Sequence, residues 1–550
     1  MRIATAALFA ALAAPLGAEE TQRYLLAPRL EASTSRLRVA ATAIAAIPRH
    51  RVRTFGSVGA YAADLTASEA AALAESGDLI VERVVPRYLL DVAAERPKSA
   101  IAPAADEAQE TPWGITAIGA PQVWPHTRGE NVNVVVVDTG VDPLQPDLVH
   151  AYAGGVNTVD PGQPPIDDYG HGTHVAGTIA AADNAFGVVG VAPRVKLWSA
   201  KVLDRNGDGS SEELVAAFAW TIEKARTAGG RWVVNLSIGG PDYSAIEERA
   251  AIDMIAAGIV VIAGAGNGGT EAGEFPTVMF PAGYRGVIAV GATNKNGGRA
   301  PFSSYGGGLA LMAPGAAIRS TLRHGHFVTV EVKTTDGTTT PAWRIEGASY
   351  GSVTGKVYDC GVGDPENFPA AVRDNIALVR RGKHNFRELA RNARDAGAAA
   401  VIIATYPDDV NGPYEWSFRP DPPDPAWDGY VFPVAVGMQH AAAEAILQSA
   451  NDYTIDHITH LYGTMNGTSM SAPHVSGTAA LLLSLAPELT PSWISAILRY
   501  TARDMDAPGW DAKTGAGAVD ALKAAQWVAP ETFGVPPQTP PKQGRRRSVR

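Results

Sequence analysis

The chain has 550 residues, more than one hydrophobic core usually supports, so several domains are expected. Hydrophobic residues make up 46% and charged residues 19%, an ordinary globular balance that excludes wholesale disorder. The net charge of −10, from 46 basic and 56 acidic side chains, gives no reason to expect a nucleic-acid partner, which requires a concentrated positive surface.

The chain begins with a signal-peptide pattern over residues 1–18: Arg2, a short Ala-rich apolar run from Ile3 to Leu16, then small Gly17 and Ala18. The run is too short to span a bilayer comfortably and no later apolar stretch has membrane length. The expectation is therefore a protein exported to periplasm or medium with no membrane anchor. Cys360 is the one cysteine, so an intramolecular disulfide is impossible and stability is left to packing and bound ions. No nucleophile partner or metal cluster surrounds Cys360, which reads as an inert thiol.

Residues 19–92 read as a small α+β unit. It has an extended segment at Arg51 to Phe55, a helix at Ser68 to Ser76 and β-rich text from Leu79 to Val85. Residues 93–111, rich in Ala, Pro and charge, read as an exposed linker holding a processing site. Over 112–321, strands are predicted at Asn133 to Val137, Lys196 to Val202, Trp232 to Leu236, Ile259 to Ala263 and Gly286 to Val290. Helices are predicted between them at Gly172 to Ala182, Glu212 to Ala228 and Ala245 to Ala257. Apolar strands alternating with helices predict a parallel sheet covered on both faces. The alternation stops near Thr321 and resumes over 463–528, where Met470 to Ser484 reads as a long helix.

Between these parts, 322–462 carries β-like text at Phe327 to Thr340, strands at Asn375 to Val379 and Ala399 to Ala404, a helix at Phe386 to Ala396 and a Pro/Asp loop at Pro420 to Pro425. It reads as an inserted β-rich domain. Residues 529–550, with Arg545 to Arg547 and Arg550, read as a solvated Pro-rich and basic tail.

Three motifs carry chemistry. Val134-Val-Val-Val-Asp138-Thr-Gly140 puts a carboxylate at the end of a buried parallel strand, where open α/β sheets place their sites. Gly170-His171-Gly172-Thr173-His174 puts an accessible imidazole at the start of a small-residue helix. Its His spacing of three, without an adjacent Glu, is not that of a zinc helix, and His174 reads as a buried neighbour. Gly467-Thr468-Ser469-Met470-Ser471-Ala472-Pro473-His474 puts a hydroxyl at a helix N-terminus, where negative charge is favoured. A serine nucleophile needs a base, and the base needs a carboxylate to fix its tautomer. Asp138, His171 and Ser469 supply all three.

The three motifs, in this order, resemble those of the subtilisin-like serine peptidases, the subtilase family. The resemblance implies an α/β fold with a subtilisin-like parallel sheet flanked by helices. It also implies a secreted endopeptidase, made as a self-processing zymogen, that works through an acyl-enzyme on protein or peptide substrates. It further implies Asn267 as oxyanion donor. The substrate-binding walls would come from Ser237, Ile238 and Gly239 on one side and Gly264, Ala265 and Gly266 on the other, for an apolar or broad preference. Residues 19–92 are similar to the family's inhibitor pro-domain, an intramolecular partner. The insert is similar to a protease-associated domain. A monomer is expected, with no cofactor for the chemistry. Structural calcium is the one ion considered. Asp204-Arg-Asn206-Gly-Asp208-Gly209 resembles the opening of a calcium loop, but Val215 holds the position where such a loop needs Glu. Asn235-Leu-Ser and Asn466-Gly-Thr fit the glycosylation pattern but read as accidental. A non-catalytic binding protein on this scaffold, and an esterase, are the rival readings. The esterase order and its Gly-x-Ser-x-Gly are not met.

Overall fold

A computed structural model describes residues 20–29, 34–90, 108–270, 277–324, 327–408, 416–418, 430–449 and 451–537. The signal pattern at 1–18, most of the linker 93–111, the loop at Pro420 to Pro425 and the basic end at 545–550 lie outside these. The chain forms two compact units, and residues 324–460 make up nearly all of the second.

The first unit opens with an antiparallel sheet made of β1 (Gln22–Pro28), β2 (Val52–Phe55), β3 (Ala60–Leu65) and β4 (Leu79–Arg83), in the order β2-β3-β1-β4. Helices α1 (Thr34–Ala45) and α2 (Ala67–Glu75) complete this α+β region. α2 begins at a capping box in which the Thr66 hydroxyl and the Glu69 carboxylate satisfy each other's backbone N–H. The β-rich stretch expected from Leu79 to Val85 is β4; a further strand that was not expected, β5 (Pro86–Leu89), follows it and leaves this sheet altogether.

The larger part is a seven-stranded sheet. Its strands are β6 (Val132–Asp138), β7 (Tyr152–Asn157), β8 (Lys196–Lys201), β10 (Arg231–Leu236), β12 (Val260–Gly264), β13 (Ile288–Thr293) and β14 (Leu309–Pro314). The order is β14-β13-β12-β10-β6-β8-β7 and every neighbouring pair is parallel. Every residue of β6 is buried, as its run of valines demands of a central strand. Two short strands, β9 (Asp208–Ser210) and β11 (Ile238–Gly239), and the helices α3 (His171–Ala180), α4 (Ser211–Ala228), α5 (Ala245–Ala256) and α6 (Thr468–Leu485) belong to the same scaffold. β13 begins two residues later than predicted because Gly286, at φ +82°, belongs to the preceding turn.

The N-terminal sheet and the parallel sheet share one apolar cluster. Leu25, Phe55, Val58 and Ala62 of the former pack with Leu214, Phe218, Ile222 and Ile246 on α4 and α5. Polar contacts fix the register. Arg23 meets Glu212 through two hydrogen bonds of 2.7 and 2.9 Å, and the Ser57 hydroxyl donates to the Ala219 carbonyl at 2.8 Å. Glu82 accepts from the Ala245 and Ile246 amides, both at 3.1 Å, and from the Ser244 hydroxyl. A carboxylate from the N-terminal region thus satisfies amides that have no partner within the helix, at the positive end of α5.

The second unit holds two sheets. One has four antiparallel strands built around Phe327–Thr334 and Tyr453–His460; the other has six strands centred on Ile376–Arg380, Ala400–Ala404 and Val434–Met438. Helices Phe386–Asp395 and His440–Leu447 accompany them, so the unit is α+β and β-rich. Cys360 is buried here. Burial pushes its thiol up to about 12, which keeps it protonated and inert.

Candidate active site

β6, β10 and β12 are neighbours in register, so their C-terminal ends, at Asp138, Leu236 and Gly264, lie along one edge of the sheet. Such an edge is where open parallel sheets bind ligands.

Asp138 closes β6. Its Oδ1 lies 2.7 Å from His171 Nδ1, and both side chains are fully buried. The same oxygen accepts from the Thr139 amide at 2.7 Å, which sets the carboxylate's orientation. His171 is the first residue of α3, whose N-cap is Gly170, a residue with no side chain to cap with. Buried Asp167 does that work instead, accepting from the Gly170 amide at 2.6 Å and from the Thr173 amide at 2.9 Å. Sequence reasoning passed over Asp167; an acid three residues before a glycine-capped helix was the available signal. Gly172 is needed for another reason. A β-carbon there would stand 2.0 Å from the Gly140 carbonyl, so only glycine lets α3 approach the end of β6.

Of the three motif histidines, His171 faces the Asp138 carboxylate. His174 Nε2 lies 3.2 Å from the Gly463 carbonyl, and His474 Nδ1 lies 2.7 Å from the Met470 carbonyl. Burial pulls His474 down to about 4. Both are structural.

Ser469 is the second residue of α6, a helix buried almost throughout and packed on α3 and on β10, β12 and β13. Pro473 lies inside this helix. It has no N–H to give the Ser469 carbonyl four residues back, an omission that normally breaks a helix. The Ser237 hydroxyl fills the gap, donating to that carbonyl at 2.8 Å. Ser237 in turn accepts from Asn235 Nδ2 at 2.9 Å, and Asn235 Oδ1 accepts from Ser476 at 2.8 Å. A buried polar chain therefore ties the start of α6 to the end of β10. Asn235 is fully enclosed in it, which closes that glycosylation pattern to any acceptor role. Ser237→Ala is expected to lower unfolding stability by about 1–3 kcal/mol, because it orphans a buried carbonyl, as denaturant melts would measure.

Asn267 follows β12. Its Oδ1 accepts from the Thr468 amide at 2.9 Å and from the Thr468 hydroxyl at 3.0 Å. Two donors on one atom fix which way the carboxamide points. Its Nδ2 is buried and makes no hydrogen bond among the described residues. Thr468 was not singled out in the sequence, although it adjoins Ser469; its hydroxyl also accepts from the Gly266 amide at 3.1 Å.

The remaining predicted wall residues divide. Ile238 and Gly239 form β11, which pairs antiparallel with β5. Ser237 spends its hydroxyl on Ser469, as described. Gly264 lies against Thr468, and the Ala265 methyl is packed with Leu309 and Met312. The Asp204 to Gly209 loop is held by its own first residue. Asp204 already accepts from the Asn206 and Asp208 amides at 2.8 and 3.1 Å, and Val215 is buried in α4. Its end is β9, which pairs antiparallel with β5.

β5 therefore runs as the middle strand of a three-stranded sheet, β11-β5-β9. Register pairs Ile238 with Leu89 and Gly239 with Tyr88. The strand ends with the Leu90 carbonyl hydrogen-bonded by the Ser469 hydroxyl, which also lies 2.9 Å from the Ser237 carbonyl. Leu90 is buried beside Gly239, where a β-carbon would come within 3.3 Å of its side chain.

The sequence profile described as the Subtilase family matches residues 129–352 and 431–517 of the chain, and that of the PA domain matches residues 352–446. The chain belongs to the subtilase family. Among relatives, this subtilase is 40% identical to Subtilisin DY of Bacillus licheniformis over 243 residues, 44% of this chain and 84% of that protein. It is 43% identical to Subtilisin E of Bacillus subtilis (strain 168) over 224 residues, 40% of this chain and 56% of the relative. The crystal structure of fervidolysin from Fervidobacterium pennivorans shares its fold, with a TM-score of 0.56 and 24% identity, covering 93% of this chain and 62% of that one. This subtilase is a serine endopeptidase that acts on protein substrates and carries an inserted protease-associated domain. No helix among the described residues is long and apolar enough to cross a membrane.

Proposed function

We propose that this subtilase is an exported, monomeric zymogen in which Ser469, His171 and Asp138 cleave peptide bonds. In this reading its own N-terminal region is the first substrate. The observation that carries the reading is the Leu90 carbonyl on the Ser469 hydroxyl, at the end of a strand held on both sides by the catalytic domain.

Ser469 Oγ attacks the carbonyl carbon while His171 takes its proton. With Nδ1 committed to Asp138, the transfer falls to Nε2. Charge then develops on the carbonyl oxygen, and Asn267 Nδ2 with the Ser469 amide supplies hydrogen bonds to it. His171 returns the proton to the departing amine, and water repeats the sequence on the acyl-enzyme. Ile238 and Gly239 align the substrate backbone as they align Leu89 and Tyr88. Gly264, Ala265 and Gly266 complete the facing wall, and an apolar residue such as Leu90 is preferred next to the cut bond. The self-processing bond is then Leu90–Asp91, just ahead of the linker. Residues 19–90 inhibit until they leave.

The test is the intact mass of wild-type protein beside Ser469→Ala, both made without residues 1–18. Wild type is expected to yield a mature chain beginning at Asp91, while the variant stays whole. A wild-type chain that stays full length would sink the self-processing claim. Identical trimming of both would assign the cut to another protease.

A further inference from the structure

Arg87 is the largest fully buried side chain of the first unit. It lies on β5, three residues before Leu90, so when Leu90 occupies the P1 position Arg87 occupies P4. An arginine on so short a strand would ordinarily turn its head to water. Here the guanidinium enters the catalytic domain and meets Glu247 on α5, with Nη2 2.9 Å from Oε2 and Nε donating to Oε1 at 3.2 Å. Both side chains are 0% exposed. Nη2 also donates to the Tyr284 hydroxyl at 3.2 Å, and that hydroxyl accepts from the Ser244 amide at 3.1 Å. Gly240 floors the passage, where a β-carbon would stand 3.2 Å from Nη1. Phe280, Tyr243 and Tyr284 pack against one another around it, with ring centroids 5.1–5.7 Å apart.

We propose that Glu247 is the base of an acidic P4 pocket, and that this subtilase selects substrates with arginine four residues before the cut. The inference rests on the proteolytic reading above and adds its specificity. Glu247 and Tyr284 belong to the catalytic domain, so they remain after residues 19–90 depart, and the pocket passes to the next substrate unchanged. An arginine returns the Nε hydrogen bond and the Nη2 ion pair to the carboxylate. A neutral side chain leaves a buried carboxylate without its partner, which is the situation in which sites discriminate most strongly. Burial already pushes Glu247 up to about 7 against the opposing pull of Arg87, a measure of how poorly water reaches it. Shape contributes as well as sequence. Arg23-Tyr-Leu-Leu26 repeats the text of Arg87-Tyr-Leu-Leu90, but it is locked between β3 and β4 and so offers no free strand to the cleft.

The test uses the mature wild-type enzyme and Glu247→Gln with four fluorogenic peptides, X-Tyr-Leu-Leu-aminomethylcoumarin, where X is arginine, lysine, citrulline or leucine. Citrulline keeps the shape of arginine and removes its charge. Wild type is expected to favour arginine over citrulline and leucine by about 10²-fold in kcat/KM. In Glu247→Gln, the arginine-to-leucine ratio is expected to fall to within a few-fold of one. Equal use of arginine and citrulline by wild type would overturn the proposal, and so would an undiminished ratio in the variant. If Glu247→Gln does not mature, the citrulline comparison in wild type decides alone. Failure to cleave any of the four peptides would instead overturn the proteolytic reading on which the pocket depends.

Discussion

Alanine at His171 is expected to lower kcat by about 10⁶, with KM changed far less, a magnitude known from subtilisin's own triad. The reason is visible in the buried pair. Ser469 is a poor nucleophile while protonated, and in the proposed mechanism its base is the imidazole held 2.7 Å from Asp138. The other two motif histidines, His174 and His474, are each turned to a backbone carbonyl. Asp138→Asn is expected to cost less, on the order of 10⁴, since it disturbs the tautomer of His171 and leaves the base in place. The measurement is steady-state turnover of a chromogenic peptide by variant matured in trans with a trace of tagged wild type, which is then removed. A loss below about tenfold for His171→Ala would remove His171 from the chemistry.

The second large effect is expected at Asn267. Leucine there fills a similar volume, offers no amide, and should lower kcat by about 10²–10³, again the size known from subtilisin. The fall should lie in kcat, because the hydrogen bond forms fully only when charge has moved onto the carbonyl oxygen. In the proposed role, the position of this one amide is set by its neighbour. Thr468 holds the Asn267 oxygen with both its amide and its hydroxyl, so Nδ2 is already aimed when substrate arrives. A loss expressed mainly in KM would make Asn267 a substrate anchor and not an oxyanion donor.

The parallel sheet was readable because its central strands are continuous apolar runs, with Val134 to Val137 the clearest case. Two of its seven strands were not anticipated. β7 contains Gly154 and Gly155 and shifts register against β8, while β14 is Leu-Ala-Leu-Met-Ala-Pro, without the β-branched residues that mark a strand. In the N-terminal region, β1 and β3 lacked alternation and went unseen, although β1 is a central strand there. The residues of the candidate triad and Asn267 were legible because each stands in a long local motif. What lay beyond reach was pairing at a distance. Arg87 and Glu247 are 160 positions apart, and neither has a neighbour that announces the other. Asp167 and Thr468 act through backbone amides, and an acid in a loop or a threonine beside a serine has many ordinary explanations. The Leu90 contact was hidden for the same reason, since nothing local distinguishes Leu90 from the linker that follows.

The geometry of β5 also bears on how the protein is made. Leu90 precedes Ser469 by 379 residues. A ribosome adding about 5–20 residues per second needs roughly half a minute to cover that distance. The N-terminal sheet, with its antiparallel neighbours close in sequence, has that time to form before α6 emerges at all. The strand that will lie over the serine is waiting when the serine arrives, so the cleft closes as it is completed. In the proposed zymogen, order of synthesis thus leaves no interval in which a completed cleft stands uncovered.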